Sequence, residues 1–374
     1  MSATGTARRC WAEIDLAALR HNFAAVQTQV GPTVKIMAVV KANAYGHGAG
    51  RIAEALASEA AMFGVANVTE AEEVREHVAD TPLFILGPAL PEERARIAAA
   101  RFIPTISTVE EARVFAEVAD DKPLPVHVKL DTGMGRIGVL EGEAVAVVRA
   151  IMAVPGIAIT GLASHLPVAD EDEAFTQAQL AHFQRDVAEL RALGLSQPII
   201  HVENSAGIIG HPSEAGDMVR AGLLLYGSAP IASFQQKLRA VLTWKTRLTL
   251  VRELPAGHGV SYGRTFITPR PMRIATLAVG YADGYQRHLS NRGAEVLIRG
   301  QRCAVLGRVT MDQIMVDVTA LPEVEAGEEA VLLGQQGEAE IFAAELAQKA
   351  GTIAYEIFTG IGRRVERVTI NDEL

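Results

Sequence analysis

Short apolar runs rich in β-branched residues recur along the first two thirds of the chain, separated by longer stretches in which Ala, Glu and Arg follow helical spacing. Eight such runs stand out: Val34–Val40, Met62–Val65, Leu83–Leu86, Phe102–Ile106, Val126–Leu130, Ile157–Leu162, Ile199–Val202 and Met218–Leu225. A strand that alternates with a helix and reads as a continuous apolar run belongs to a parallel sheet covered on both faces. Eight repeats match a (β/α)8 TIM barrel, whose usual size is about 250 residues, with a doubly wound sheet as the alternative. From about Leu242 the texture changes. Alternating strands, Thr246–Glu253, Arg273–Val279, Glu295–Ile298, Ile314–Val318 and Ala330–Leu333, are punctuated by Gly and Pro. One helix over Ile341–Ala350 and a last strand over Arg364–Ile370 follow. The pattern therefore predicts a barrel over residues 1–240 and a mostly β domain over residues 241–374.

The residues just past the eight runs are Lys41, Asn67, Ser107, Asp131, His165, Asn204 with Ser205, and Arg220. In a barrel they face one mouth, and barrel enzymes place their chemistry at the carboxyl ends of the strands. The pattern thus predicts one polar site before any motif is consulted.

Composition narrows what that site handles. With 374 residues, 49% of them hydrophobic and only 5% aromatic, the cores are expected to be aliphatic. A formal net charge of −9 disfavours a nucleic-acid or anionic-membrane partner and favours a small molecule. Cys10 and Cys303 stand alone, without metal-ligand spacing, so two reduced thiols and no metal site are expected. Glu13 and Asp15 follow Arg8 and Arg9 where a signal peptide would need an apolar run, and no later run approaches the ~20 residues of a membrane span. A cytoplasmic protein is expected.

At the end of the first run the chain reads V-V-K-A-N-A-Y-G-H-G from Val39 to Gly48. A lysine leaving an apolar strand loses hydration, which favours the neutral amine that attacks aldehydes or abstracts protons. Taken alone, the plainer account comes first: an amine that snorkels to water.

The surrounding blocks change that balance. The lysine segment and W-A-E-I-D-L at Trp11–Leu16 are followed by K-L-D-T-G-M-G-R-I-G from Lys129, S-H-L from Ser164, H-V-E-N-S-A-G from His201 and V-R-A-G-L-L-L-Y-G from Val219. V-S-Y-G from Val260, Y-A-D-G, G-R-V-T-M-D-Q and Y-E-I-F-T-G complete the series. Together they resemble the alanine racemase family of fold type III, pyridoxal-phosphate-dependent enzymes, from Trp11 to Arg364.

The resemblance implies interconversion of L- and D-alanine, with D-alanine destined for peptidoglycan. It makes Lys41 the Schiff-base lysine and the base on one face of the α-carbon, and Tyr262 the base on the other. It assigns the cofactor phosphate to Tyr45, Ser205, Tyr355 and the amides near Gly222 and Leu223, and the pyridine nitrogen to Arg220. Arg136 would contact the phenolic oxygen and the substrate carboxylate, with Lys129, often carbamylated in related enzymes, in support. The Met311 amide would meet the carboxylate, with Tyr281 and Asp312 at the substrate entrance. His165 would pack beside the ring and hydrogen-bond Arg220, with His201 either in the same network or a satisfied core histidine. The resemblance also implies a homodimer in which Lys41 of one chain meets Tyr262 of the other.

Three rivals fit less of the chain. An amino-acid decarboxylase of the same plan would carry an acid where Arg220 stands. A lone cofactor-carrying barrel would lack the β domain bearing Tyr262 and Met311. A racemase of serine or broad specificity is the nearest alternative.

Overall fold

The computed structural model describes residues 8–212 and 216–372. The chain divides into two compact units, one built from residues up to Ala18 with Tyr45–His47 and Ala240–Leu374, the other from Leu19–Ala44 and Gly48–Arg239.

The second unit is the barrel. Its eight strands run parallel in the order Met218–Ala221, Lys35–Val39, Met62–Val65, Leu83–Ile85, Ile103–Ile106, Leu124–Asp131, Ile157–Ala163 and Ile199–His201. Between the last and first strands the ladder thins to single bonds. Asp217 N donates to Ile200 O (3.0 Å), Ile200 N donates to Asp217 Oδ2 (2.8 Å), and Arg220 N donates to Glu203 O (3.0 Å). Met37, Met62, Phe84, Ile103 and Met218 pack as one buried cluster, which gives these strands their continuous apolar reading. Side chains fix where several helices begin: Asn67, Thr108, Asp172 and Asn204 each accept an amide of the first helical turn. The run Met218–Leu225 breaks at Gly222, whose ψ of −95° leaves the extended region, and Leu223–Tyr226 coils into a 3-10 turn.

The first unit is mostly β. Leu242–Leu254 pairs with both Met272–Leu277 and Glu329–Gln336, and Ile314–Asp317, Gln301–Leu306 and Glu295–Ile298 complete a closed ring of six strands. One segment corrects the expected boundary. Cys10–Asp15 lies in this unit rather than in the barrel, antiparallel to Leu242–Leu254 and parallel to Glu366–Ile370. Such pairings join residues hundreds of positions apart, so no local pattern announces them. The strands Gln301–Leu306 and Ala339–Ile341 and the helix Ala354–Thr359 also went unread. Among the described residues no helix is long and apolar enough to cross a membrane.

Candidate active site

Lys41 leaves its strand into a single left-handed turn. Ala42, Asn43, Ala44 and Tyr45 all have φ between 52° and 54°. L-residues avoid this region at roughly 1–2 kcal/mol each, and strain of this kind persists only where the surroundings enforce it. Ala44 N donates to Val40 O (2.7 Å), Ala49 N to Asn43 Oδ1 (2.8 Å) and Ala42 N to Glu70 Oε1 (2.8 Å). Burial, and then the charge of Arg136, disfavour protonation of the Lys41 amine; Glu70 opposes this and Arg220 adds to it.

Arg220 is the anchor of the barrel mouth. Its buried guanidinium donates to the carbonyls of His201 (2.7 Å), Val202 (2.7 Å) and Ser164 (2.8 Å), and burial lowers its pKa to about 10, leaving it cationic near neutrality. A guanidinium can only donate, so the two ring nitrogens facing it, His201 Nδ1 at 3.0 Å and His165 Nδ1 at 3.1 Å, must accept. His201 Nε2 then carries the proton and donates to His127 Nδ1 at 2.9 Å, which leaves the His127 proton on Nε2, buried without a partner among the described residues. One cation thus sets three tautomers. Burial, reinforced by Arg220, holds these rings neutral: His165 is pushed down to about 2, His127 to about 3, and His201 well below its ordinary value.

Lys129 lies buried beneath the same carbonyl, with Nζ 2.5 Å from Ser164 O. Burial, then Arg220 and Arg136, favour its neutral form. Arg136 is exposed on the loop after Asp131. That loop wraps the Asp131 carboxylate, which accepts the amides of Gly133 (3.0 Å), Gly135 (3.0 Å) and Arg136 (3.1 Å). Burial pushes the Asp131 pKa up, but these amides outweigh it and keep the group anionic. After the barrel's eighth strand in chain order, the amides of Gly222 (3.3 Å) and Leu224 (3.5 Å) donate to Ser205 Oγ, so hydroxyl and amides converge on one point.

The remaining candidates belong to the β unit. The rings of Tyr45 and Tyr355 lie 5.7 Å apart, and Tyr45 is buried. Tyr262 is 71% exposed on a turn entered by Ser261 at φ 63°, with Ser261 Oγ donating to Arg308 O at 2.5 Å. Met311 is 52% exposed. Its loop is stitched to that of Tyr281: Tyr281 N donates to Thr310 O and Ala282 N to Met311 O, both at 3.0 Å. A Cβ at Gly280 would run into the Met311 carbonyl, so only glycine allows this approach. Arg364 ties Asp312 (2.8 Å) to Asp283 (3.1 Å).

The barrel unit therefore brings Lys41, Lys129, Arg136, His165, His201 and Arg220 into one electrostatic cluster. Glu70 and His127 belong to it and were not read from the sequence. His127 had a signal: in Leu124–Asp131 it sits two positions from Lys129, on the same face of the strand. Glu70 had none beyond its place three residues after the helix cap Asn67.

Comparison with known proteins matches residues 14–230 to the alanine racemase N-terminal domain and residues 241–369 to the alanine racemase C-terminal domain. The chain is 45% identical to an alanine racemase of Halothermothrix orenii and 41% identical to one of a Nostoc species, covering 96% of each relative and 96% and 97% of this chain respectively. Among solved structures, alanine racemase from the D-cycloserine producer Streptomyces lavendulae superposes with a TM-score of 0.91 at 36% identity, over 98% of both chains. Alanine racemase from Bacillus anthracis with bound L-Ala-P gives 0.88 at 32% identity, over 99% of this chain and 97% of that one.

Proposed function

This chain belongs to the alanine racemase family and interconverts L- and D-alanine, and we propose that it does so with pyridoxal 5'-phosphate bound at the barrel mouth through Lys41. The observation that carries this reading is the pairing of a strand-end amine, whose protonation burial disfavours, with a buried guanidinium that can only donate.

The donor set fits the cofactor. Arg220 Nε–H, the guanidinium donor not used by the three carbonyls and two histidines, would donate to a pyridine nitrogen, and a nitrogen that accepts from a guanidinium stays unprotonated. Ser205 Oγ and the amides near Gly222 and Leu223 suit a phosphate, which barrels commonly bind after their seventh and eighth strands. The resemblance adds Tyr45 and Tyr355 to the phosphate. When bound, the cofactor supplies an electron sink that acidifies the α-carbon proton. Arg220 moderates that sink, which limits side reactions.

Racemisation requires proton transfer on both faces of one carbon. Lys41 serves one face. Tyr262 serves the other, contributed by the second subunit of a homodimer; the exposure of Tyr262, Met311 and Tyr281 in the single chain supports a partner that covers them. Arg136 and the Met311 amide orient the alanine carboxylate, Lys129 supports Arg136, and Asp312 with Tyr281 guards the entrance. His165 and His201 keep Arg220 in place. The free thiols Cys10 and Cys303 suit a cytoplasmic setting, where the product would feed peptidoglycan.

Borohydride reduction in the presence of pyridoxal phosphate, followed by peptide mapping, is expected to label Lys41 and to label nothing in Lys41→Ala. Label on Lys129 instead would overturn the assignment. Loss of optical rotation with L-alanine, compared with L-serine and L-lysine, tests the substrate.

A further inference from the structure

We propose that Glu70 is a positioning residue for Lys41, its carboxylate tying the left-handed turn after Lys41 to the end of the neighbouring strand. The proposal rests on the reading of Lys41 as the cofactor lysine.

The turn needs outside support. Four successive non-glycine residues at positive φ do not hold that conformation by preference, and the bonds made within the turn region, Ala44 N to Val40 O and Gly48 N to Asn43 O, are those any coiled turn makes. The restraint reaching the first residue of the turn comes from elsewhere: Ala42 N donates to Glu70 Oε1 at 2.8 Å. Glu70 is fixed at its other end. Its Oε2 accepts Ala66 N at 2.7 Å, and its own amide donates to the Asn67 cap at 3.1 Å. Ala66 immediately follows the strand Met62–Val65, which pairs with Lys35–Val39, so one carboxylate joins two adjacent strand ends and both of its oxygens are engaged.

Glu111 provides an internal contrast. It also follows a helix cap by three residues, but one of its oxygens accepts both Ser107 N (2.7 Å) and Thr108 N (3.1 Å) within its own turn. That is ordinary helix capping. Glu70 uses one oxygen close to its own turn, on the amide of Ala66 that precedes the cap, and places the other on the segment that aims Lys41. The nearby negative charge also opposes the effect of burial on the Lys41 amine.

The test compares Glu70→Ala, Glu70→Ala with Ala42→Gly, and Glu111→Ala with the purified holoenzyme, by hydrogen exchange over residues 42–45 and by retention of pyridoxal phosphate followed by its absorbance. Glu70→Ala is expected to speed exchange in the turn and to weaken cofactor retention, each at least about tenfold. Ala42→Gly should restore most of the retention, because glycine takes positive φ without strain. Glu111→Ala should change neither readout. Unchanged exchange in Glu70→Ala overturns the proposal, and so does a loss of retention that Ala42→Gly leaves untouched, which would assign the effect to charge alone. Should Glu70→Ala fail to fold, Glu70→Gln keeps the shape and one acceptor; intermediate values support the proposal, and wild-type values in both readouts overturn it. A Lys41→Ala control that still holds the cofactor covalently would instead overturn the reading of Lys41, and exchange alone would then decide whether Glu70 holds the turn.

Discussion

Two buried polar side chains show how differently single residues use the interior. Arg220 faces three carbonyls and two histidine ring nitrogens with the four N–H of its two terminal nitrogens, so each of those donors has an acceptor, and it fixes the protonation pattern around it. Tyr285 packs its ring against Trp244, centroids 6.1 Å apart, yet its buried hydroxyl meets no partner among the described residues. Burial accordingly pushes the Tyr285 pKa up. An unsatisfied buried hydroxyl carries a desolvation cost of about 1–3 kcal/mol, and removing it leaves the ring packing intact. Tyr285→Phe is therefore expected to keep or raise stability in urea unfolding, by up to about 1 kcal/mol. A loss larger than that would show that the hydroxyl serves the fold.

Among the elements, the strands Leu124–Asp131, Ile157–Ala163 and Ile199–His201 together hold the neutral histidines. Packing there is tight: a Cβ on Gly161 would lie 2.5 Å from His127 Cδ2, so the strand leaves room for the imidazole and nothing more. The pH dependence follows from these rings. In the unfolded chain a histidine takes a proton near pH 6.5, whereas folded His127 and His165 resist protonation down to about 3 and about 2. The unfolded state therefore binds more protons below about pH 6.5, and stability falls as pH falls, by roughly 1.4 kcal/mol per pH unit for each such histidine. Urea midpoints measured at about pH 7 and about pH 5.5 should differ in that direction. Equal stability at the two values would mean that the rings are already charged in the folded barrel.

For the whole molecule, the proposed homodimer makes a test that a single chain cannot meet. Lys41→Ala and Tyr262→Phe, each expected to lose at least about 99% of activity, should regain it when unfolded and refolded together, because a mixed dimer contains one site with both bases. Mixed dimers as inactive as the parents would place both bases in one chain. At this scale the chain's own pattern reached far. Eight apolar runs specified eight parallel strands, since a strand buried on both faces must be apolar throughout, and among the polar residues after them Lys41, Asp131, His165 and Arg220 share one electrostatic cluster. Motif resemblance named the reaction. What the linear pattern could not carry were relations between distant segments: Cys10–Asp15 completing a sheet with Leu242–Leu254 and Glu366–Ile370, His127 meeting His201, and Glu70 reaching the turn after Lys41. Periodicity records only whether a side chain faces apolar surroundings or water. Which partner a buried polar atom finds, and which backbone it holds under strain, is decided when packing brings those segments together.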